Sequence, residues 1–381
     1  MTSTLILYAN AGHGHRKVAE AIREALESKK SSELKCELHD ALDFTPKTFK
    51  FFYPRLYFAI VKWAPSLWAA FYYLTANKCL YGAIRPLREI WNGIQSRKLA
   101  GYLCARNFDC ILVTHFFAAE VASRLKRQGK IKSTIITVVT DTIPHWVWVN
   151  RGTDVYWVLA DESRKALLAM GISESQIKAQ GIPVSRQFVS PPDPSKVKKE
   201  LGLDQNRITL LFTSGSFGLG PTQMILKSLE PFQAKIQAIV VCGTNAKLKE
   251  ELGHKSYGFK VQVLGFVNNM PELMSASDLI IAKPGGATMC EALVSNLLML
   301  LTNGIPGQED GNERYLIAHG AAIKLKHFSE AQAVIKRFIE HPSELTEMKN
   351  KIKQIAKPEA AAKLADFVNF ACHSEGKARR I

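Results

Sequence analysis

The sequence predicts an α/β protein with two doubly wound, Rossmann-like parallel sheets facing one another across a cleft. Three observations carry that expectation. Short apolar runs alternate with segments whose apolar residues recur at helical spacing, the rhythm of repeated βαβ units. The first apolar run of each half leads into a glycine-bearing loop. The rhythm is broken at GIPVSRQFVSPPDPSK (181–196), where three prolines between Pro191 and Pro194 mark a linker. With 381 residues the chain is long enough for two domains, and a hydrophobic content of 47% supplies two cores. The expected boundaries are 1–190, 196–356, and a C-terminal helix with a basic tail over 357–381.

Taken in order, LILYA (5–9) is a strand and ANAGHGHRK the loop after it. VAEAIREALES then sets Val18, Ile22, Ala25 and Leu26 on one helical face. CILVTH (110–115), TIITVVTD (134–141) and VYWVLA (155–160) read as buried strands, and ESRKALLAMG as a helix closed by Gly171. The second half opens with ITLLFTSG (208–215), followed by SFGLGP and a helix. AIVVCGTN (238–245), VQVLGFV (261–267), DLIIA (278–282) and LLMLL (297–301) complete a set of five strands. PEAAAKLADFVNFAC (358–372) is helical with an apolar face, and HSEGKARRI is expected to fray.

Seven cysteines form no CxxC pair and no metal-like spacing, and their odd number fits a reducing compartment. The N-terminus reads as a strand rather than a signal peptide, and no charge-free apolar stretch of about 20 residues appears. The expectation is a cytoplasmic protein. The net charge of +16 is unevenly spread. Between Phe44 and Cys104 nine Lys and Arg face one acid, Glu89, and 15 of the 35 aromatic residues lie there. Such interleaving suits docking on an anionic membrane, or nucleic-acid binding, or a helical subdomain with an aromatic core. No nucleic-acid motif supports the second, and no nucleic-acid partner is expected.

The chemistry concentrates in loops after strands, where open α/β sheets bind ligands. DLIIA runs into Gly285 and Gly286 and then a helix, so free backbone N–H groups and the helix dipole favour a phosphate there. Thr288 and Glu291 match a capping box as well as they match ligand contacts. LLMLL leads to Gln308, Glu309 and Asn312, whose carboxamide and carboxylate groups suit sugar hydroxyls. The loops at Gly215, Ser216 and Phe217, at Gly243 and Asn245, and at Phe266 and Val267 offer further backbone groups and an aromatic face for a nucleotide. In the first half, His13 and His15 flank Gly14 at a strand-to-helix turn. His15 is the first choice for a general base and His13 the second. Asp141 ends a strand where it can orient a base or receive a hydroxyl, and His145 and Trp148 follow it. The spacing of His115 and His145 predicts no metal site.

These residues resemble a known family. GFVNNMPELMSASDLIIAKPGGATMCEAL and GIPGQEDGN are similar to lipid glycosyltransferases of the monogalactosyldiacylglycerol synthase and processive diacylglycerol glucosyltransferase type, in glycosyltransferase family 28. GHGHRKVAEAI, VTDTIPHWVW, GIPV and SGSFGLG fall in the family's order. The resemblance implies a GT-B fold and inverting transfer of a hexose from a UDP-sugar to a membrane lipid, with diacylglycerol the leading acceptor. It implies no metal and no cofactor, since the UDP-sugar is a substrate. By that likeness Gly285, Gly286 and Thr288 hold the diphosphate, Glu291 the ribose, Gln308 and Glu309 the hexose, and Phe266 and Val267 the uracil. His15 stands where the family has its proposed base. Gly14, His145 and Trp148 lie on the acceptor side, and 44–104 takes the place of the membrane-facing segment. The protein would then work as a peripheral enzyme on the inner membrane face. The alternatives are a UDP-N-acetylglucosamine transferase acting on a polyprenyl-linked cell-wall precursor, and a non-catalytic, membrane-binding sensor of sugar nucleotides.

Overall fold

Parallel pairing follows from the short apolar strands at the centre of each sheet, which are buried on both faces and must be joined by helical crossovers. In the computed structural model, which describes residues 2–29, 34–213 and 221–378, the strands are β1 (Thr2–Tyr8), β2 (Leu34–Asp40), β3 (Cys110–Val113), β4 (Thr134–Val138), β5 (Val155–Val158), β6 (Ile177–Ala179), β7 (Ile208–Thr213), β8 (Ile236–Val241), β9 (Val261–Leu264), β10 (Leu279–Ala282), β11 (Leu298–Leu301) and β12 (Ala322–Lys324). The first sheet has the order β2-β1-β3-β4-β5-β6 and the second β12-β11-β10-β7-β8-β9. All pairs are parallel. The second order is the dinucleotide-fold arrangement read from its own first strand. The α/β expectation of two doubly wound sheets is met, with six strands in each rather than the five expected of the second. The additional strands β2, β6 and β12 all include a sheet edge or end of the order, where one side stays unpaired.

The chain divides into two compact units. One comprises Met1–Arg186, Ile305–Gly311 and Lys357–Ile381; the other comprises Gln187–Gly304 and Asn312–Ala356. The second domain expected over 196–356 is therefore interrupted. Ile305–Gly311 is drawn to the first unit by Tyr57, whose hydroxyl donates to Gln308 Oε1 at 2.8 Å, and by Tyr73, whose hydroxyl bonds Asp310. The C-terminal helix, Ala360–Ala378, also joins the first unit and runs beyond the expected Cys372. Its approach needs Gly181: at φ +100° a Cβ there would lie 2.5 Å from Lys357 Cβ.

In the first unit, helix α1 (His13–Ser28) buries Val18, Ile22 and Leu26, as the periodicity predicts. Residues 47–105 form four helices: α2 (Lys47–Trp63), α3 (Pro65–Ala76), α4 (Lys78–Gln95) and α5 (Arg97–Ala105). Phe49 and Tyr53 pack on the core of the first sheet. The outer surface of this segment is different. Helix α2 buries no residue, α3 only Thr75, and α4 only Tyr81 and Asn92. Fourteen of the 20 large apolar side chains exposed among the described residues lie between Phe51 and Ile94. An aromatic core therefore accounts for only part of the segment. Helix α4 is tied to helix α6 (Phe116–Arg127) by the buried Glu120, which pairs with Arg88 at 2.6 Å and accepts from Asn92 at 3.1 and 3.2 Å. Among the described residues no helix is long and apolar enough to cross a membrane.

Candidate functional site

In the first sheet β1 leads outward to β2 and β3 leads the other way to β4, so the strand order reverses between β1 and β3. A ligand crevice belongs at the carboxyl ends of those two strands. The start of α1 and the loop after β3 meet there. Thr114 N–H donates to Leu7 O at 3.0 Å, continuing the sheet register one step, and its hydroxyl donates to the His15 carbonyl at 2.9 Å. His15 Nδ1 lies 2.6 Å from the Thr114 carbonyl and 3.3 Å from Thr140 Oγ1. A carbonyl only accepts, so Nδ1 carries the proton and Nε2 keeps its lone pair. The ring stands edge-on to His115 at 4.7 Å and 6.3 Å from Trp148. Burial pulls its pKa down to about 4, against the bond to Thr114, which favours the charged form. His15 is thus held as a neutral imidazole with Nε2 able to take a proton.

The other expected residues of this unit make contacts of their own. His13 opens α1, and burial followed by Arg16 and Lys17 lowers its pKa. Gly14 is the second residue of that helix. Asp141 accepts the Trp148 indole N–H at 3.2 Å, while the group fixing the His15 ring is the Thr114 carbonyl, which sequence reasoning passed over. Nothing in the sequence marks that carbonyl beyond its place directly after the apolar run CILV. Trp148 is 1% exposed and packs in a core cluster of this unit. His145 Nδ1 accepts from Val147 N–H at 3.2 Å, and its Nε2 lies 3.3 Å from both the Tyr72 carbonyl and Thr75 Oγ1. With both nitrogens engaged, His145 ties its loop to α3. His115 caps α6 by accepting from Phe117 N–H at 3.1 Å.

In the second sheet the order reverses between β7 and β10. The loop after β7, with the expected Gly215, Ser216 and Phe217, lies outside the described residues. The loop after β10 opens the helix Gly286–Val294, with Gly285 as its N-cap. The first bond back along this helix runs from Met289 N–H to Gly285 O at 2.8 Å. The N–H groups of Gly286, Ala287 and Thr288 precede it, and the first turn has no acidic residue. Geometry and helix dipole make this helix end suited to an anion. The capping-box reading fails because the helix starts earlier than that pattern requires: Thr288 is already its third residue, and Glu291 lies beyond the first turn.

Asn312, expected among the ligand contacts, is fully buried and donates to the Pro284 carbonyl at 2.9 Å, shaping the turn from behind. Asn312→Ala leaves that buried carbonyl without its donor and is expected to destabilise the protein by about 1–3 kcal/mol. Urea denaturation reads this directly, and an unchanged midpoint would refute the assignment. Asn245 caps the helix Ala246–Gly253 by accepting from Leu248 N–H at 3.0 Å, and Gly243 precedes it at φ +59°. Phe266 is 55% exposed just past β9, with Val267 beside it. Gln308 and Glu309 belong to the first unit; Glu309 is 5% exposed and accepts from Ile305 N–H at 2.8 Å. Among the described residues no group of three or more His, Cys, Asp or Glu is arranged to hold a metal ion.

Two doubly wound sheets, one with a half-buried histidine at its strand-order reversal and the other with a glycine-opened helix N-terminus at its own, have the architecture of the GT-B fold. Solved structures share the fold. MurG of Acinetobacter baumannii superposes with a TM-score of 0.63 at 15% identity, over 97% of this chain and 99% of that one. HepE of Anabaena in complex with UDP gives 0.58 at 17% identity, over 97% and 100%. The family model for monogalactosyldiacylglycerol (MGDG) synthase matches residues 15–184, and the glycosyltransferase family 28 C-terminal domain matches 209–369. Monogalactosyldiacylglycerol synthase 1, chloroplastic, of Arabidopsis thaliana is 32% identical over 94% of this chain and 69% of its own length. Processive diacylglycerol beta-glucosyltransferase of Bacillus cereus is 28% identical over 97% and 94%. The chain belongs to the MGDG synthase family of family 28 lipid glycosyltransferases, and this membership supports a hexosyltransferase activity.

Proposed function

We propose that the protein transfers a hexose from a UDP-sugar to the hydroxyl of diacylglycerol at the inner membrane face, with inversion and without a metal or cofactor. The observation that carries this reading is the His15 ring, with Nδ1–H on the Thr114 carbonyl and Nε2 left as a neutral base. In the proposed step Nε2 takes the proton of the lipid hydroxyl as that oxygen bonds to the anomeric carbon. The bond from this carbon to the diphosphate breaks, and UDP leaves with the electron pair. The N–H groups of Gly286, Ala287 and Thr288 are suited to the charge that develops on the diphosphate. Glu291 is proposed for the ribose, Phe266 and Val267 for the uracil, and Gln308 and Glu309 for the hexose, in keeping with the family likeness.

Exposure supports the docking role of residues 44–104. Trp63 and Leu87 are 78% and 71% exposed, and Lys62 lies over the Trp63 ring at 4.8 Å. An exposed aromatic flanked by a cation suits the headgroup layer of an anionic membrane. The relatives' names support the acceptor and the family supports the reaction type. The deciding experiment offers UDP-glucose, UDP-galactose and UDP-N-acetylglucosamine with diacylglycerol and with a polyprenyl phosphate acceptor, followed by mass analysis of the lipid. A hexosyl-diacylglycerol is expected. An N-acetylglucosaminyl polyprenyl product would replace the reading with the cell-wall alternative, and UDP binding with no product would replace it with a sensor.

A further inference from the structure

We propose that Tyr57 and Tyr73 are positioning residues for hexose recognition, holding the loop that carries Gln308 and Glu309 against the aromatic helices. The inference rests on the transferase reading for the role of that loop. The segment 305–311, which runs into the helix Asp310–Ala318, is held at Gln308 and at Asp310. Tyr57 of α2 donates to Gln308 Oε1 at 2.8 Å, and its ring stands edge-on to Trp68 of α3 at 5.1 Å. Tyr73 of α3 bonds Asp310, which also accepts from Gly307 N–H at 3.0 Å. Gly307 sits at φ +78°, and a Cβ there would lie 2.6 Å from Tyr72 Cδ1. The backbone can approach α3 this closely only as glycine.

The clamp settles which way the Gln308 amide faces. A phenol facing a carboxamide oxygen donates, so the oxygen is taken and the Nε2 hydrogens are left to donate. Glu309 beside it is held in turn by Ile305 N–H, which donates to its Oε2 at 2.8 Å. An amide turned with its hydrogens outward is complementary to a sugar hydroxyl that accepts. Without the Tyr57 hydroxyl the amide is free to flip, and that complementarity is lost. Hexose recognition is thereby built on α2 and α3, the helices whose other faces expose Phe52, Trp63 and Leu67.

Calorimetric titration of the full-length protein and of Tyr57→Phe with UDP-glucose, UDP-galactose and UDP tests this. Phenylalanine keeps the ring on Trp68 and removes only the hydroxyl. The affinity ratio of the preferred UDP-hexose over UDP is expected to shrink about five- to tenfold, the loss of one hydrogen bond, with UDP affinity and melting temperature unchanged. Tyr73→Phe is expected to act in the same direction. An unchanged ratio overturns the proposal, as does a parallel loss of UDP and UDP-hexose affinity with a lowered melting temperature, the mark of a merely structural role. A wild type that shows the ratio but transfers no hexose to diacylglycerol overturns the transferase reading and leaves the positioning role standing.

Discussion

His15→Ala is expected to lower turnover by roughly 10²–10⁴-fold, the usual contribution of a positioned general base, while UDP affinity stays at the wild-type value. The residue and the helix N-terminus at Gly286 belong to different sheets, so removing the imidazole takes away the proton acceptor without touching the N–H groups suited to the diphosphate. The pH profile sharpens the test. Burial lowers the His15 pKa to about 4, so the base is deprotonated at all higher pH values and protonated below it. kcat/KM should therefore hold level from about pH 8 down to pH 5 and fall as pH drops through about 4, with the histidine limb displaced from the ordinary position near 6.5. Turnover of His15→Ala within a few-fold of wild type would remove His15 from the chemistry. An acid limb near 6.5 would mean that the ring is hydrated and less enclosed than its neighbours His115 and Trp148 make it.

The central strands were legible because burial on both faces leaves an uninterrupted apolar run, as in CILV, LIIA and LMLL. The strands that escaped notice lie at the ends of the sheets. LKCELHD in β2 pairs on one side only and keeps Lys35, Glu37 and His39, while β6 and β12 are three residues each. The glycine turn at Gly285 was legible because an apolar strand, two glycines and a helix follow one another in the sequence. The fixing of His15 by Thr114 was not, because a main-chain carbonyl bonds alike whatever its side chain. Helix boundaries misled at Thr288 for a related reason: Gly285 takes the N-cap with no side-chain bond, so the capping pattern one turn later marks no boundary. The loop 305–311 was read as part of the second domain because it follows β11. What draws it to the first is a pair of tyrosine hydroxyls about 240 residues earlier, a contact with no local signature.

The triple substitution Trp63→Ser, Leu67→Ser and Leu87→Ser is expected to weaken partitioning onto anionic vesicles by on the order of 100-fold. These side chains are 78, 65 and 71% exposed, so the folded protein gains little from them, and their replacement should leave the melting temperature near that of wild type. At a bilayer each would sink part of its apolar surface, and a gain of about 1 kcal/mol apiece, below the full-burial value, gives the two decades. Charge supplies a separable share. Lys47, Arg55, Lys62, Lys78, Arg97 and Lys98 are exposed on the same helical segment, and each cation near an anionic surface adds about 1 kcal/mol at moderate salt. Raising the salt should therefore weaken wild-type binding without abolishing it, because the apolar share is not screened. The same salt should release the triple variant almost completely. Sedimentation with phosphatidylglycerol-containing vesicles reads both effects. If the variant pelleted like wild type at every salt concentration, the exposed face of α2–α4 would not be the membrane surface, and the lipid hydroxyl would have to reach His15 by another approach.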